Sequence, residues 1–299
     1  MKHVVSVGLG SSTRDAHLET EILGQEILIE RRGSDGDLNK AAAMIAELDG
    51  KVDAFGLGGT DLFIMVGDKK YYIRDSKRLA KEAKKTPIVC GAGLKDSLER
   101  IVVKKLDKEL DWKNKKVLML SAVDRFGMAE AINSFGSKMV FADLIYILGL
   151  PIPLRTLKSL RRTANVIAPI ASQLPIKWLY PTGSKQEKDK AETGWKSKHF
   201  DWADIIAGDF HFIKRYAPAK LKGKIILTNT TTKDDVVMLK NRGLKKLITT
   251  TPRIAGRSLS TNMLEAAFVA LAEKYPLTKK DYEELIAKTG FEGDGLELN

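Results

Sequence analysis

The sequence predicts an α/β protein of two domains. A smaller mixed α/β domain is expected over residues 1–110, and a Rossmann-like doubly wound parallel sheet over 111–299. Three observations carry this. Short apolar runs alternate with longer amphipathic stretches along most of the 299 residues, a length that favours two cores over one. Several strand-like runs stop at polar clusters: Val117–Leu120 at Ser121-Ala122-Val123-Asp124-Arg125, Ala203–Gly208 at Asp209-Phe210-His211, Lys224–Leu227 at Thr228-Asn229-Thr230, and Lys245–Ile248 at Thr249-Thr250-Thr251. Finally, Gly127-Met128-Ala129 opens a helix just after an apolar strand, where helix and sheet must approach closely.

In chain order, Val4–Val7 and Glu26–Glu30 read as strands, and Asp37–Leu48 has helical spacing with Ser34 or Asp35 as its cap. Val52–Leu57 is a short buried strand. Phe63–Val66 and Tyr71–Ile73 flank Gly67-Asp68 as a hairpin. A basic helix follows from about Ser76, then a strand at Pro87–Cys90 and a helix over Leu94–Leu106. The charged stretch Lys108–Lys115 joins the halves. Beyond it come strand Lys116–Leu120, helix Phe126–Phe135, strand Lys138–Ala142 and a basic helix after Pro153. A polar insertion over 181–200 reads as a lid or an exposed excursion. Strands and helices then alternate to about Lys274, before a last helix over Lys279–Ala287.

Composition narrows the class. Hydrophobic residues make up 43% and charged residues 29%, the balance of a globular protein. The chain has no apolar run near 18 residues, so no membrane partner is expected. One cysteine, Cys90, cannot form an internal disulfide, and a reducing cytoplasm is the expected location. Few Cys beside abundant Lys and Glu is a composition seen in thermostable proteins. The net charge of +12 is scattered, which makes nucleic acid an unlikely partner and a lysine-rich solvated surface the simpler account. A homo-oligomer is compatible with the sequence.

The polar strand ends mark the candidate site, because ligands of open parallel sheets sit beyond the carboxyl ends of the strands. Around the β-strand–helix turn, Ser121, Asp124, Arg125 and Gly127 stand where a dinucleotide loop would, and Asp143 ends the next strand where a ribose-binding carboxylate would. Two glycines of that fingerprint are replaced by side chains. Asn229 and Thr230 are expected to complete a site for NAD or NADP. Asp209 and His211 pair a carboxylate with an imidazole suited to proton transfer; the plainer reading makes Asp209 a helix cap. Thr250, Thr251, Arg257 and Ser258 are candidates for holding an acidic substrate group. Asp61 and Lys95 are candidates for a Lys–Asp pair of the first domain, with Lys95 a catalytic candidate. Spacing of the His, Cys and Asp residues supports no metal site.

The phrases Ser121-Ala122-Val123-Asp124-Arg125-Phe126-Gly127-Met128-Ala129 and Thr249-Thr250-Thr251-Pro252 resemble those of the bacterial quinate/shikimate 5-dehydrogenase-like family. The resemblance implies NAD(P)-linked oxidation of a ring hydroxyl by a Lys–Asp pair. The family's N-V-T-x-P-x-K segment is absent here.

Three functions therefore stand as expectations. The first is an NAD(P)-type oxidoreductase-like protein acting on a small polar or anionic hydroxy acid. The second is a non-catalytic small-ligand-binding protein or sensor on a degenerate Rossmann fold. The third is a basic nucleic-acid-binding module using Lys77, Arg78, Lys81, Lys84, Lys85, Arg161 and Arg162.

Overall fold

Strand β1 (Lys2–Gly8) buries its last five residues in a row, the pattern of an inner parallel strand covered on both faces. The structure, a computed structural model, describes residues 1–67, 69–179, 194–254 and 257–299, excepting the side chains of 179, 253, 254, 257 and 258. β2 (Ala16–Ile22) alternates buried and exposed positions and meets β3 (Gln25–Gly33) through a two-residue turn. Leu23 and Gly24 both have positive φ there, as such hairpins require. Helix α1 (Leu38–Leu48) is capped by Asp37, which accepts the N–H groups of Asn39 and Lys40. Asp35, one of the two expected caps, instead accepts the N–H of Ser12 at 2.7 Å.

Next come β4 (Ala54–Gly58), the hairpin of β5 (Phe63–Val66) and β6 (Lys69–Tyr72), helix α2 (Arg74–Ala80), β7 (Ile88–Val89) and α3 (Ala92–Leu110). The first sheet has the order β2-β3-β1-β4-β7, parallel except at the β2 edge. Its core joins Val5, Val7, Ile45, Phe55 and Leu57 with Leu79 and Ile88.

The second sheet starts at β8 (Lys116–Met119), followed by α4 (Phe126–Ser134), β9 (Lys138–Phe141), α5 (Asp143–Tyr146), α6 (Leu157–Ala171), α7 (Ile176–Leu179) and α8 (Lys198–Trp202). It continues with β10 (Ile205–Ala207), α9 (Phe210–Tyr216), β11 (Ile225–Thr228), α10 (Lys233–Asn241) and β12 (Lys246–Thr249). The short pair β13 (Arg253–Ile254) and β14 (Arg257–Ser258) precedes α11 (Thr261–Ala272), α12 (Lys279–Thr289) and β15 (Asp294–Glu297). The strand order is β15-β12-β11-β10-β8-β9, with β15 the antiparallel edge. Counted along the chain, the parallel strands run 2-1-3-4-5, a doubly wound order. The mixed, parallel-rich α/β architecture read from the sequence is therefore present in both sheets.

The chain divides into two units that exchange segments. One holds Met1–Ser97, Ile167–Glu187 and Ser260–Gly290; the other holds Leu98–Val166, Lys188–Leu259 and Phe291–Asn299. A single division near residue 110 was expected. The observed one arises because α11 packs on β1 and β4 of the first sheet, while β15 pairs with β12 of the second. An apolar helix that follows the last parallel strand can cover whichever sheet lacks cover on that face, and periodicity does not say which. The expected lid over 181–200 lies, as far as residue 193, outside the described residues. Among the described residues, no helix is long and apolar enough to cross a membrane.

Candidate functional site

In the second unit, the order in which successive strands are added reverses between β8 and β10, which lie side by side and parallel. The usual place for a ligand is the crevice past the carboxyl ends of such strands. β8 leads into Leu120-Ser121, and a turn closed by Arg125 N–H to Ser121 O at 3.2 Å delivers the chain into α4. β10 leads into Gly208, whose φ of +134° is open to glycine alone, and then Asp209. A Cβ at Gly208 would stand 3.1 Å from Ser121 Oγ.

The polar strand ends do converge, through bonds to one another. Asp209 N–H donates to Ser121 Oγ at 2.9 Å. Asn229 Nδ2 donates to Asp209 Oδ2 at 2.9 Å, and Asn229 Oδ1 accepts the N–H of Phe210 at 3.1 Å. Thr228 Oγ1 donates to Gly208 O at 2.8 Å. Thr251 Oγ1 donates to Asn229 O at 3.0 Å, and Thr250 N–H to Thr228 O at 2.7 Å. Four adjacent strand ends are thereby locked into one polar layer.

At its centre is Arg125, with a side chain 1% exposed. Its guanidinium donates to Glu99 of α3 and, at 3.0 Å, to Asp209 Oδ2; Asp124 stands 3.8 Å from Nε. Burial opposes its charge, but these three carboxylates outweigh that and raise its pKa above the ordinary value. Burial likewise works against the Asp209 carboxylate, yet Arg125 and then His211 hold it below its usual range. The Asp209 carboxylate is also the cap of α9, accepting the N–H of His211 at 2.9 Å. The plainer reading of Asp209 thus holds together with its place in the ion network.

Asp143 reaches the same turn from the start of α5. Its Oδ1 accepts the N–H of Val123 at 2.9 Å, so the carboxylate placed for a ribose instead closes the β8–α4 turn. Burial pushes its pKa up to about 7, against the pull of the Val123 and Ala122 N–H groups. Gly127 is buried in the first turn of α4.

Several buried polar atoms here have no hydrogen-bond partner among the described residues: Arg125 Nε, Asp143 Oδ2, and the hydroxyls of Thr230, Thr231 and Thr250. Thr250 is wholly buried. Such orphans are uncommon in folded proteins and concentrate where a ligand or water is taken up.

The remaining candidates fall elsewhere. Lys95 and Asp61 belong to the first unit, where Lys95 Nζ lies 3.1 Å from Asp61 Oδ1 with both side chains largely buried. The backbones of Arg257 and Ser258 form β14, and their side chains lie outside the described residues. Sequence reasoning missed Glu99, the closest partner of Arg125. The available signal was a carboxylate inside the apolar stripe of α3, beside Leu98 and one turn before Val102 and Val103. The role of Glu265 went unnoticed as well: it is buried and accepts from Gly91 N–H, Gly93 N–H and the Tyr282 hydroxyl, capping α3. Among the described residues no group of three or more His, Cys, Asp or Glu could hold a metal ion.

A family profile described as a domain of unknown function (DUF8754) matches residues 93–298. The chain belongs to the DUF8754 family. A second domain of unknown function (DUF8753) matches residues 3–90. Among curated proteins, none matches the chain. Among solved structures, it is similar to a galactofuranose binding protein, with 12% identity, 97% of this chain and 99% of the other covered, and a TM-score of 0.35. It is similar also to an ABC transporter solute binding protein from Burkholderia multivorans, with 11% identity, 99% of both chains covered and a TM-score of 0.40. A glucose-galactose binding protein from Geobacillus stearothermophilus gives 8% identity, 99% and 97% coverage and a TM-score of 0.38. At such scores the likeness carries no argument about what this chain binds.

The family match corrects the resemblance to quinate/shikimate dehydrogenases, and the oxidoreductase expectation that rested on it falls with it: the matched family is DUF8754. The misleading phrases were short strand-to-helix turns. A small residue at the helix start and hydroxyls at strand ends answer packing needs of any doubly wound sheet, whatever it binds.

Proposed function

We propose that this chain is a non-catalytic binding protein for a small, neutral, hydroxyl-rich ligand held at the carboxyl ends of β8, β10, β11 and β12. The observation that carries this is the set of buried hydroxyls at Thr230, Thr231 and Thr250 with no hydrogen-bond partner among the described residues, beside a layer of polar groups bonded to one another. Hydroxyls that both donate and accept suit a partner with the same capacity. Charge argues for neutrality. One guanidinium faces Glu99, Asp209 and Asp124, so the cation at the centre of these strand ends is already matched by carboxylates. The chemistry of turnover is also undercut, because the Asp209 carboxylate is committed to Arg125, Asn229 and the α9 N–H groups.

The test is thermal denaturation against a panel of neutral monosaccharides and polyols, with hydroxy acids as the charged counterpart. A neutral member is expected to raise the melting temperature. At about 100 times its dissociation constant it adds about 2.7 kcal/mol of stability. Thr250→Val should abolish the rise while leaving the fold intact. Stabilisation by hydroxy acids alone, or by none of the panel, would reject the reading.

A further inference from the structure

The first unit contains a groove of about 700 Å³, within the range of small-ligand sites. Its walls carry five cations: Lys70 of β6, and Arg74, Lys77, Arg78 and Lys81 of α2 and its C-cap. The last four follow the spacing i, i+3, i+4, i+7, which puts them on one face of the helix. No Asp or Glu among the described residues lines the groove. Lys70, Lys77 and Lys81 have no carboxylate partner among the described residues, while Arg78 spends one N–H on Asn39 Oδ1 and Arg74 lies 3.4 Å from Asp75. Like charges so arranged repel one another and gain from a shared anion.

The opposite wall is built. Ser172, 2% exposed, accepts the Arg74 N–H through its carbonyl at 2.9 Å, and the N–H of Ile176 donates to Asp75 Oδ2 at 2.9 Å. Those bonds tie α2 to the segment after α6. Asp75 is thereby turned to this seam. Tyr72 is 44% exposed and sits edge-on to Phe63, with the Lys77 ammonium 5.6 Å from its centroid. A planar group can stack on such a ring beside the cations.

We propose that this groove binds a phosphorylated small molecule carrying at least two phosphates, of the nucleoside diphosphate class. Five cations exceed what one phosphate engages, the ring supplies a face for a base, and the volume limits the occupant to a small molecule. The site is independent of the one in the second unit.

The experiment titrates the purified chain with ADP, pyrophosphate and inorganic phosphate by calorimetry at low and moderate salt. ADP and pyrophosphate are expected to bind at least tenfold more tightly than phosphate, with affinity falling as salt rises. The triple variant Lys77→Ala, Arg78→Ala, Lys81→Ala should weaken ADP at least tenfold, and Tyr72→Ala should weaken ADP but not pyrophosphate. All four positions are exposed, so the fold should persist, which circular dichroism checks. Unchanged ADP binding in the triple variant, no binding of ADP at millimolar concentration, or tighter binding of a ten-nucleotide single strand than of ADP would overturn the proposal.

Discussion

Both sheets reverse their direction of winding between their first and third parallel strands, and they fill the neighbourhood of that reversal differently. In the first unit, the pair is β1 and β4, and residues of α11 lie against them. Asn262 Nδ2 donates to Leu57 O at 3.0 Å, and Ser6 Oγ donates to Asn262 Oδ1 at 3.3 Å. Gly56 permits this approach, since a Cβ there would come within 2.8 Å of the Asn262 carbonyl oxygen. In the second unit, the pair is β8 and β10, and charged side chains take the place of a packed helix: Arg125 with Glu99 and Asp209. The lesson is that one topology supplies the same location twice, and the residues there decide whether it is filled by backbone packing or by a polar network able to take a ligand.

The sharpest way to break the comparison is to remove the central charge of the second unit. Arg125→Met strands Glu99 and Asp209 in buried surroundings, and loss of about 3–5 kcal/mol is expected in urea unfolding. The added change Glu99→Gln should recover a large part of it.

Next in size is a pH effect. Burial holds the pKa of Asp143 at about 7 against an ordinary value of 3.8, so the folded chain binds the extra proton between those limits. Its contribution to stability is full below pH about 4 and falls as pH rises to about 7. With about 1.4 kcal/mol per unit, the loss is up to about 4 kcal/mol. Asp143→Asn should remove that slope, which urea unfolding at pH 5, 6, 7 and 8 would reveal as a gap that widens with pH. Parallel curves would show that Asp143 is ionised in the folded chain throughout.

The corresponding place in the first unit should respond to volume. Gly56→Ala forces a methyl against the Asn262 backbone, costing about 1–3 kcal/mol by calorimetric melting. The smallest effect has the opposite sign. Thr250→Val replaces a buried hydroxyl without a partner by a methyl, and the free protein should gain about 1 kcal/mol. A loss of stability instead would mean that the hydroxyl is satisfied in solution by a bound water.

Much of the fold was legible because its cause is local. Runs such as Val117–Leu120 are apolar throughout since both sheet faces are covered, and α1 was recognisable by its spacing although its cap is Asp37 and not Ser34 or Asp35. Two edge strands escaped notice: β2, whose partner comes through a two-residue turn at Leu23-Gly24, and β15, whose partner lies far away in sequence. For the site, Ser121, Asp209, Asn229 and Thr250 were recognisable as strand-end groups. Glu99 was not, because its role depends on a guanidinium 26 residues further on.

The sequence by itself determined that parallel strands end in polar residues and that helices lie between them, since periodicity and capping act over a few residues. Only the tertiary structure decided that Arg125 turns inward among three carboxylates, that Asp143 closes a turn, and that α11 covers the first sheet. Those outcomes depend on which distant groups share a buried space, where desolvation makes every unpaired charge costly and forces partners together.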